Sequence, residues 1–566
     1  MTHTLRRVPR AADRPGRDRR AVRISAPADL QPGRHTGPPP RIAVVGGGIA
    51  GVTAAVALAE RGMAVDLFEQ RPHLGGRLAG WPTELRDGST ATMSRGFHAF
   101  FRQYYNLRAL LRRIDPGLDV LTPVPDYPLL HDTGHTDTFA GLPTTPPWNA
   151  AAFVMRSSTF RAADLRTIDR RAALHLFDVD VPRIYRRLDH LDARTFLERI
   201  RFPPSAHHLA FEVFSRSFFA DPADLSAAEL ALMFHIYFLG SSEGLLFDVP
   251  RQPFPAAVWN PLHDHLHRLG ATVRTGTAVA AVVPGQQRRF TVMADDGTTA
   301  AEHAADAVVL AADTKGLQRI VSTSPTLGGQ DWRRRIARLR SAPSFLVSRL
   351  WLDRPLNADR PAFLGTGGFG PLDNISVLDR YEDEARAWAR RTGGCVVELH
   401  AYALPDDADP QRVRARLAQE MRRVYPETAN AAVIDERHEL HADCPLFPSG
   451  GFGDRPTVTT PDPCLVLAGD LVRVDLPVAL MERAATSGFQ AANALLAQWG
   501  VRGHDVWSVP RGGRTTLLRA MSAMSAGRRR PVKPRTPDTA TPSAPPARTS
   551  TPVAPVAAEP PSAPGR

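Results

Sequence analysis

Gly46, Gly48 and Gly51 stand in the order Gly-x-Gly-x-x-Gly. They follow the apolar run Ile42 to Val45 and precede an Ala/Val/Leu-rich stretch that reaches Arg61-Gly62. Strand, turn and helix in that order make a phosphate site. Gly46 permits the tight turn, Gly48 leaves room for a pyrophosphate at the helix N-terminus, and Gly51 lets the helix approach the sheet; Ile49 and Ala50 border the bound group. A second apolar run, Ala64 to Phe68, ends on Glu69, eighteen residues past Gly51. A carboxylate there accepts the adenosine ribose hydroxyls and repels a 2′-phosphate, which disfavours NADP. The glycine pattern is weak taken alone, because 42 glycines produce chance matches. Gly365-x-Gly367-x-x-Gly370 is one such match: Pro371 comes at once and no amphipathic helix continues, so that stretch reads as a loop.

The stretch after Glu69 favours FAD over NAD. Glu69-Gln70 leads into Gly75-Gly76-Arg77, which puts flexible backbone and a guanidinium near the phosphates of a longer flavin dinucleotide. Gly469-Asp470, after the apolar run Val466 to Ala468, supplies a second candidate contact near the other end of the chain. His98 is the one imidazole embedded in an aromatic run that holds Phe97, Phe100, Phe101, Tyr104 and Tyr105. It is the catalytic candidate, for removing a proton or positioning the flavin, against the plainer reading of a hydrogen-bonded structural histidine. The rings either wall an apolar pocket or pack a domain interface. Arg102 and Asp248 suggest ordinary ion pairing. Cys395, Cys444 and Cys464 show no CxxC spacing, so neither a metal site nor a disulfide framework is indicated.

These residues need a large scaffold, and 566 residues suffice for two cores. The expected organisation is a disordered basic arm (1–38), FAD-binding segments at 39–100, 261–325 and 461–500, a helical substrate part (101–260) and a strand-rich substrate part (326–460). A basic amphipathic segment (501–530) and a disordered tail (531–566) complete it. Ser226 and Glu229 sit at capping-box spacing before a helix. Strands are expected at 271–273, 290–294, 307–312, 344–352 and 395–400, and a helix at 482–498.

The net charge of +12 would suggest a nucleic-acid partner if it were spread over the fold. It is not. Residues 1–40 carry nine arginines against three aspartates, and residues 501–566 carry eleven Arg or Lys against three acids, so the remainder is close to −2. No nucleic acid is expected for the folded core. Without an apolar leader or a run of eighteen apolar residues, a reducing cytoplasmic location is expected. Leu517, Met521 and Met524 at helical spacing, before Arg528-Arg529-Arg530, suit peripheral contact with the inner face of the plasma membrane or a helix docked on its own domain.

Together, Gly46 to Gly51, Glu69, Gly75-Gly76-Arg77 and Gly469-Asp470 resemble the flavin amine oxidase and carotenoid desaturase superfamily over residues 41–500. The resemblance implies an α/β fold: a discontinuous Rossmann-like FAD-binding domain with an α+β substrate domain. It implies that Asp470 lies near the flavin ribityl and phosphates, and that the helix start at Met481 and Glu482 faces the isoalloxazine. Gly96 to Leu107 resembles a segment of phytoene and ζ-carotene desaturases. Arg102 and Arg483 depart from those enzymes and, with Leu246 to Phe254, are closer to the bacterial isorenieratene synthase family. Those are β-carotene desaturase/methylases that aromatise carotenoid end rings. This implies a lipophilic carotenoid substrate, methyl migration within the ring, no methyl donor, and an electron acceptor left unnamed. An acyclic carotene desaturase, an oxidase of soluble amines, and a non-catalytic flavin-binding scaffold with RNA-binding tails stay open on the sequence.

Overall fold

The computed structural model describes residues 14–160, 163–203, 206, 209 and 218–514. The glycine turn sits on a five-stranded parallel sheet. Its order is Thr272–Arg274, Ala64–Phe68, Arg41–Val45, Ala307–Leu310 and Leu465–Leu467. Both faces are covered, so its central strands are nearly continuous apolar runs; every residue of Ala307–Leu310 is buried. The Ile49–Glu60 helix is apolar all round for the same reason, lying between the sheet and the Leu480–Gln498 helix. These two helices cross closely, and a Cβ at Gly488 would stand 2.5 Å from the Ala50 carbonyl oxygen.

Three separated stretches of chain therefore build one sheet, as the discontinuous Rossmann-like fold requires. The chain between them forms the second body. Its seven-stranded sheet runs Val433–His441, Ser344–Leu352, Cys395–Leu404, Asn374–Val377, Phe363–Gly367, Leu129–His131 and Thr136–Asp137. The pairing is antiparallel except where Phe363–Gly367 runs parallel to Leu129–His131, so strands from both excursions share one sheet. One face packs on the Pro410–Val424 helix through Leu417, Met421 and Val424. Asp409 caps that helix, with Pro410 at its first position, where a missing N–H costs nothing.

The structure departs from expectation in four places. The arm is ordered from residue 14 onward: Val22–Ile24 pairs antiparallel with Val506–Ser508, and Asp18 is buried. The segment lacks apolar periodicity because a borrowed strand and a buried carboxylate, rather than an amphipathic face, hold it. The amphipathic segment expected at 501–530 contains that strand, and its Leu517, Met521 and Met524 lie outside the described residues, as does the tail. Gly365 and Gly367 belong to a strand, since Asp373 and Asn374 return as its antiparallel partner after a turn. Lastly, Ser226 does cap the Ala227–Phe234 helix, accepting from the Ala228 N–H, but Glu229 leaves the capping box for two buried arginines.

Asp18 accepts from Arg514 Nη1 at 2.7 Å and from the Ser242 N–H at 3.0 Å, while its own N–H donates to Glu243. Breaking a buried pair strands the other charge. Asp18→Ala is expected to cost about 3 kcal/mol, read as a lower thermal unfolding midpoint. An unchanged midpoint would restore the view of the arm as disordered.

Candidate functional site

A cavity of about 330 Å³ opens at the carboxyl ends of the parallel strands and continues under the seven-stranded sheet. Gly46, Gly48, Ile49, Ala50, Glu69, Gln70, Gly75, Gly76, Arg77, His98, Gly469, Asp470 and Met481 all border it. Gly51 and Glu482 do not.

The dinucleotide end fits its expected occupant. The Ile49–Glu60 helix has no acidic residue in its first turn and no side-chain cap, which leaves its N-terminus to an anion. A Cβ at Gly48 would meet nothing closer than Gly76 Cα at 3.9 Å. The protein itself thus tolerates a side chain there, and the glycine keeps space for something else. Gly51 is different, since a Cβ would lie 1.9 Å from the Gly46 carbonyl oxygen, so it serves packing. Glu69 accepts one backbone N–H on each oxygen, from Gly47 at 2.7 Å and Arg71 at 2.9 Å. That fixes the carboxylate while leaving lone pairs for ribose hydroxyls. Arg77 Nη2 donates to Asp470 Oδ1 at 2.5 Å, joining the Gly-Gly-Arg and Gly-Asp segments across the cavity. Burial works against the Arg77 charge, but Asp470, together with Cys444 and Asp443, outweighs it and raises the pKa.

The second half of the cavity is aromatic. Phe97, Phe101 and Tyr104 from the expected run reach it, whereas Phe100 and Tyr105 point into the core. Tyr127 stacks on Phe363 at 4.9 Å, and Phe219 meets Phe345 at 4.7 Å; all four border the cavity and none was singled out from the sequence. Strand alternation could have found Phe345 and Phe363, but it does not say which sheet face meets a cavity. His98 donates from Nδ1 to the Gly96 carbonyl oxygen at 2.9 Å, and burial holds its pKa down at about 4. Beside it lies a network that sequence reading missed. Arg349 binds Glu398 Oε2 at 2.8 and 3.0 Å, Glu398 Oε1 meets His400 Nε2 at 2.9 Å, and His400 Nδ1 meets the Tyr402 hydroxyl at 2.8 Å. Gly96 (φ +99) makes the approach possible, since a Cβ would stand 2.5 Å from His400 Cε1.

One expected residue needs correction. Glu482 faces the Tyr105–Leu111 helix, not the cavity: its carboxylate accepts from the Asn106 and Leu107 N–H groups at 2.9 and 3.0 Å and from the Asn106 amide at 2.8 Å. The free donors of that helix N-terminus claim it. Burial pushes the Glu482 carboxyl up to about 8, against the pull of those N–H groups. Arg102 pairs with Asp248 at 3.8 Å, as the sequence suggested, and Asp248 has a closer partner in the buried Arg108.

This geometry is that of a dinucleotide-binding oxidoreductase, and the chain belongs to the flavin-containing amine oxidoreductase family, whose profile matches residues 49–496. It is an FAD-dependent oxidoreductase. It is 62% identical over 512 residues to a carotenoid phi-ring synthase of Streptomyces griseus, covering 90% of this chain and 98% of that one. A carotenoid phi-ring synthase of Chlorobaculum tepidum is 28% identical over 597 residues, covering 84% and 91%. Among solved structures, putrescine oxidase bound to putrescine shares the fold with a TM-score of 0.58 at 15% identity, covering 81% of this chain and 99% of that one.

Two substitutions separate cofactor contact from support. Gly48→Val is expected to give soluble, folded protein without flavin absorbance; full flavin occupancy would overturn the phosphate assignment. Glu482→Gln turns an amide N–H toward the Leu107 N–H and is expected to cost about 1–3 kcal/mol of stability. Flavin content per folded molecule should stay unchanged, and flavin loss without destabilisation would return Glu482 to the cavity.

Proposed function

We propose that this chain aromatises the β-ionone end rings of β-carotene, moving one geminal methyl group to the neighbouring ring carbon. The observation that carries the reading is the continuity of the dinucleotide cavity with a chamber walled by Phe97, Phe101, Tyr127, Phe219, Phe345 and Phe363. The similarity to two carotenoid phi-ring synthases supports a ring reaction on a carotenoid. FAD, when bound, would accept one hydride at a time, so the two hydride steps need reoxidation of the flavin between them by an electron acceptor outside the chain. The protein's part is to hold the ring, exclude water from the carbocation through which the methyl shifts, and accept two protons. Aromatic faces suit such a cation, and their apolar bodies suit the polyene. A substrate of this kind is gathered from a membrane surface, so a cytoplasmic, peripheral location belongs to the same proposal. Among the described residues no helix is long and apolar enough to cross a membrane.

Each converted ring loses four hydrogens and no carbon. Expression in a β-carotene-producing host should therefore yield pigment lighter by about 4 Da per ring. A gain of about 14 Da would mean an external methyl donor. Unchanged β-carotene, with colour appearing in a phytoene-producing host, would replace ring aromatisation by acyclic desaturation. Hydrogen peroxide release with a soluble amine would favour an amine oxidase.

A further inference from the structure

His98 is the histidine that the aromatic run draws attention to, but its surroundings suit it poorly for holding a proton. Its Nδ1 is tied to a neutral carbonyl oxygen, and burial disfavours its cation. The neighbouring His400 is placed otherwise. Glu398 is ion-paired with the buried Arg349, which also donates to the Thr92 carbonyl at 2.6 Å and to Ser94 Oγ at 2.9 Å. Burial alone would raise the Glu398 carboxyl, but Arg349 and His400 hold it at about 2, so it is an anion that can only accept. In its neutral form His400 then carries its N–H on Nε2, toward Glu398, since that carboxylate can only accept. The Nδ1 lone pair is left to accept from the Tyr402 hydroxyl, and that hydroxyl oxygen accepts in turn from Asn374 Nδ2 at 3.1 Å. The chain of hydrogen bonds runs one way, from Tyr402 and Asn374 at the cavity wall to a carboxylate in the core.

We propose that Tyr402 is the catalytic residue that takes a ring proton from the substrate, with His400 as its proton store and Glu398 and Arg349 as positioning residues. The proposal rests on the ring-aromatising reading. When a C–H bond of the ring cation breaks, its electron pair stays in the ring as the new double bond. The proton forms an O–H bond at Tyr402. The phenolic O–H breaks at the same time, and its proton passes to His400 Nδ1. The resulting imidazolium stands beside the Glu398 carboxylate, which offsets the charge. No electrons leave the ring in this step, so it needs no oxidant beyond the FAD that serves the hydride steps. A phenol is a weak base, and burial raises its pKa further, so ionising it in advance is unfavourable. Concerted transfer avoids a free phenolate, and a ring cation is acidic enough to drive it.

Two variants and one spectrum test this. Tyr402→Phe removes the hydroxyl. His400→Gln can keep an N–H toward Glu398 but replaces the basic ring nitrogen with an amide that cannot take up the phenolic proton. Both are expected to bind FAD as the parent does, with KM for β-carotene unchanged and turnover per bound flavin lower by about 100-fold or more. Turnover within about twofold of the parent in Tyr402→Phe would overturn the proposal. Independently of any substrate, ¹⁵N spectra of histidine-labelled holoenzyme should show His400 as the Nε2–H tautomer, assigned by the signal lost in His400→Gln. An Nδ1–H tautomer would overturn the relay whatever the substrate. A parent enzyme that leaves β-carotene unchanged while showing the Nε2–H tautomer would sink the ring reaction and leave the hydrogen-bond chain standing.

Discussion

One buried carboxylate, Glu229, ties the helical excursion to the turn that carries Asp470. It binds Arg483 at 2.9 Å and Arg455 more closely still, and burial alone would raise its pKa, yet the two guanidiniums hold it at about 2. Taking three charges out of water costs several kcal/mol per ion, so the arrangement stands only if every group is answered. Arg483 spends its other donors on the carbonyl oxygens of Val478 at 3.1 Å and Asp470 at 3.4 Å. Arg455 lies over the rings of Phe447 at 4.4 Å and Tyr185 at 5.4 Å, whose faces take the place of further acceptors. The backbone around Asp470 is thereby held from the helical side while its carboxylate is held by Arg77 from the sheet side. Without the triad, the carbonyls that Arg483 grips would be free to move, and the Arg77–Asp470 bridge with them.

A second ion pair does the corresponding work on the other wall. Arg349 and Glu398 are both almost wholly buried on adjacent antiparallel strands, and Arg349 also reaches Thr92 and Ser94. It thus links the seven-stranded sheet to the segment that delivers Gly96 and His98. The cavity is bounded by two frames, each built on a buried arginine–glutamate pairing, with its aromatic lining between them.

The cofactor half of this arrangement was legible in the sequence because its signals are local. Gly46, Gly48 and Glu69 lie within one strand–helix–strand unit, and the steric demand on each is set by neighbours close in the chain. Arg77 and Asp470 are far apart in sequence, yet each was marked by adjoining glycines. The substrate half was not legible. Tyr127, Phe219, Phe345 and Tyr402 meet only because strands from two excursions share a sheet, and no local pattern records a parallel pairing between Leu129–His131 and Phe363–Gly367. Glu482 misled for a related reason: its position at a helix start pointed to the cavity, while the free N–H groups of a second helix 375 residues earlier claimed it. The N-terminal arm misled because strand pairing with Val506–Ser508 needs no apolar periodicity.

The frames also explain how the cavity keeps walls that the backbone would not choose. Phe219 and Leu480 both border it with left-handed φ values of 55° and 52°. A left-handed conformation at a residue with a side chain costs roughly 1–2 kcal/mol and persists only where the surroundings over-determine it. Around Leu480 they do. The Arg483 N–H bonds the Ala479 carbonyl, the Arg483 side chain holds Val478, and Glu482 is clasped by the Tyr105–Leu111 helix. Phe219 is pressed between the rings of Phe345 and Tyr402, at 4.7 and 4.8 Å. The contacts that fix these two residues are made by side chains and backbone around the cavity itself. Walls held in this way would suit the ring reaction proposed above, since a wall that gave way would admit water to its cation.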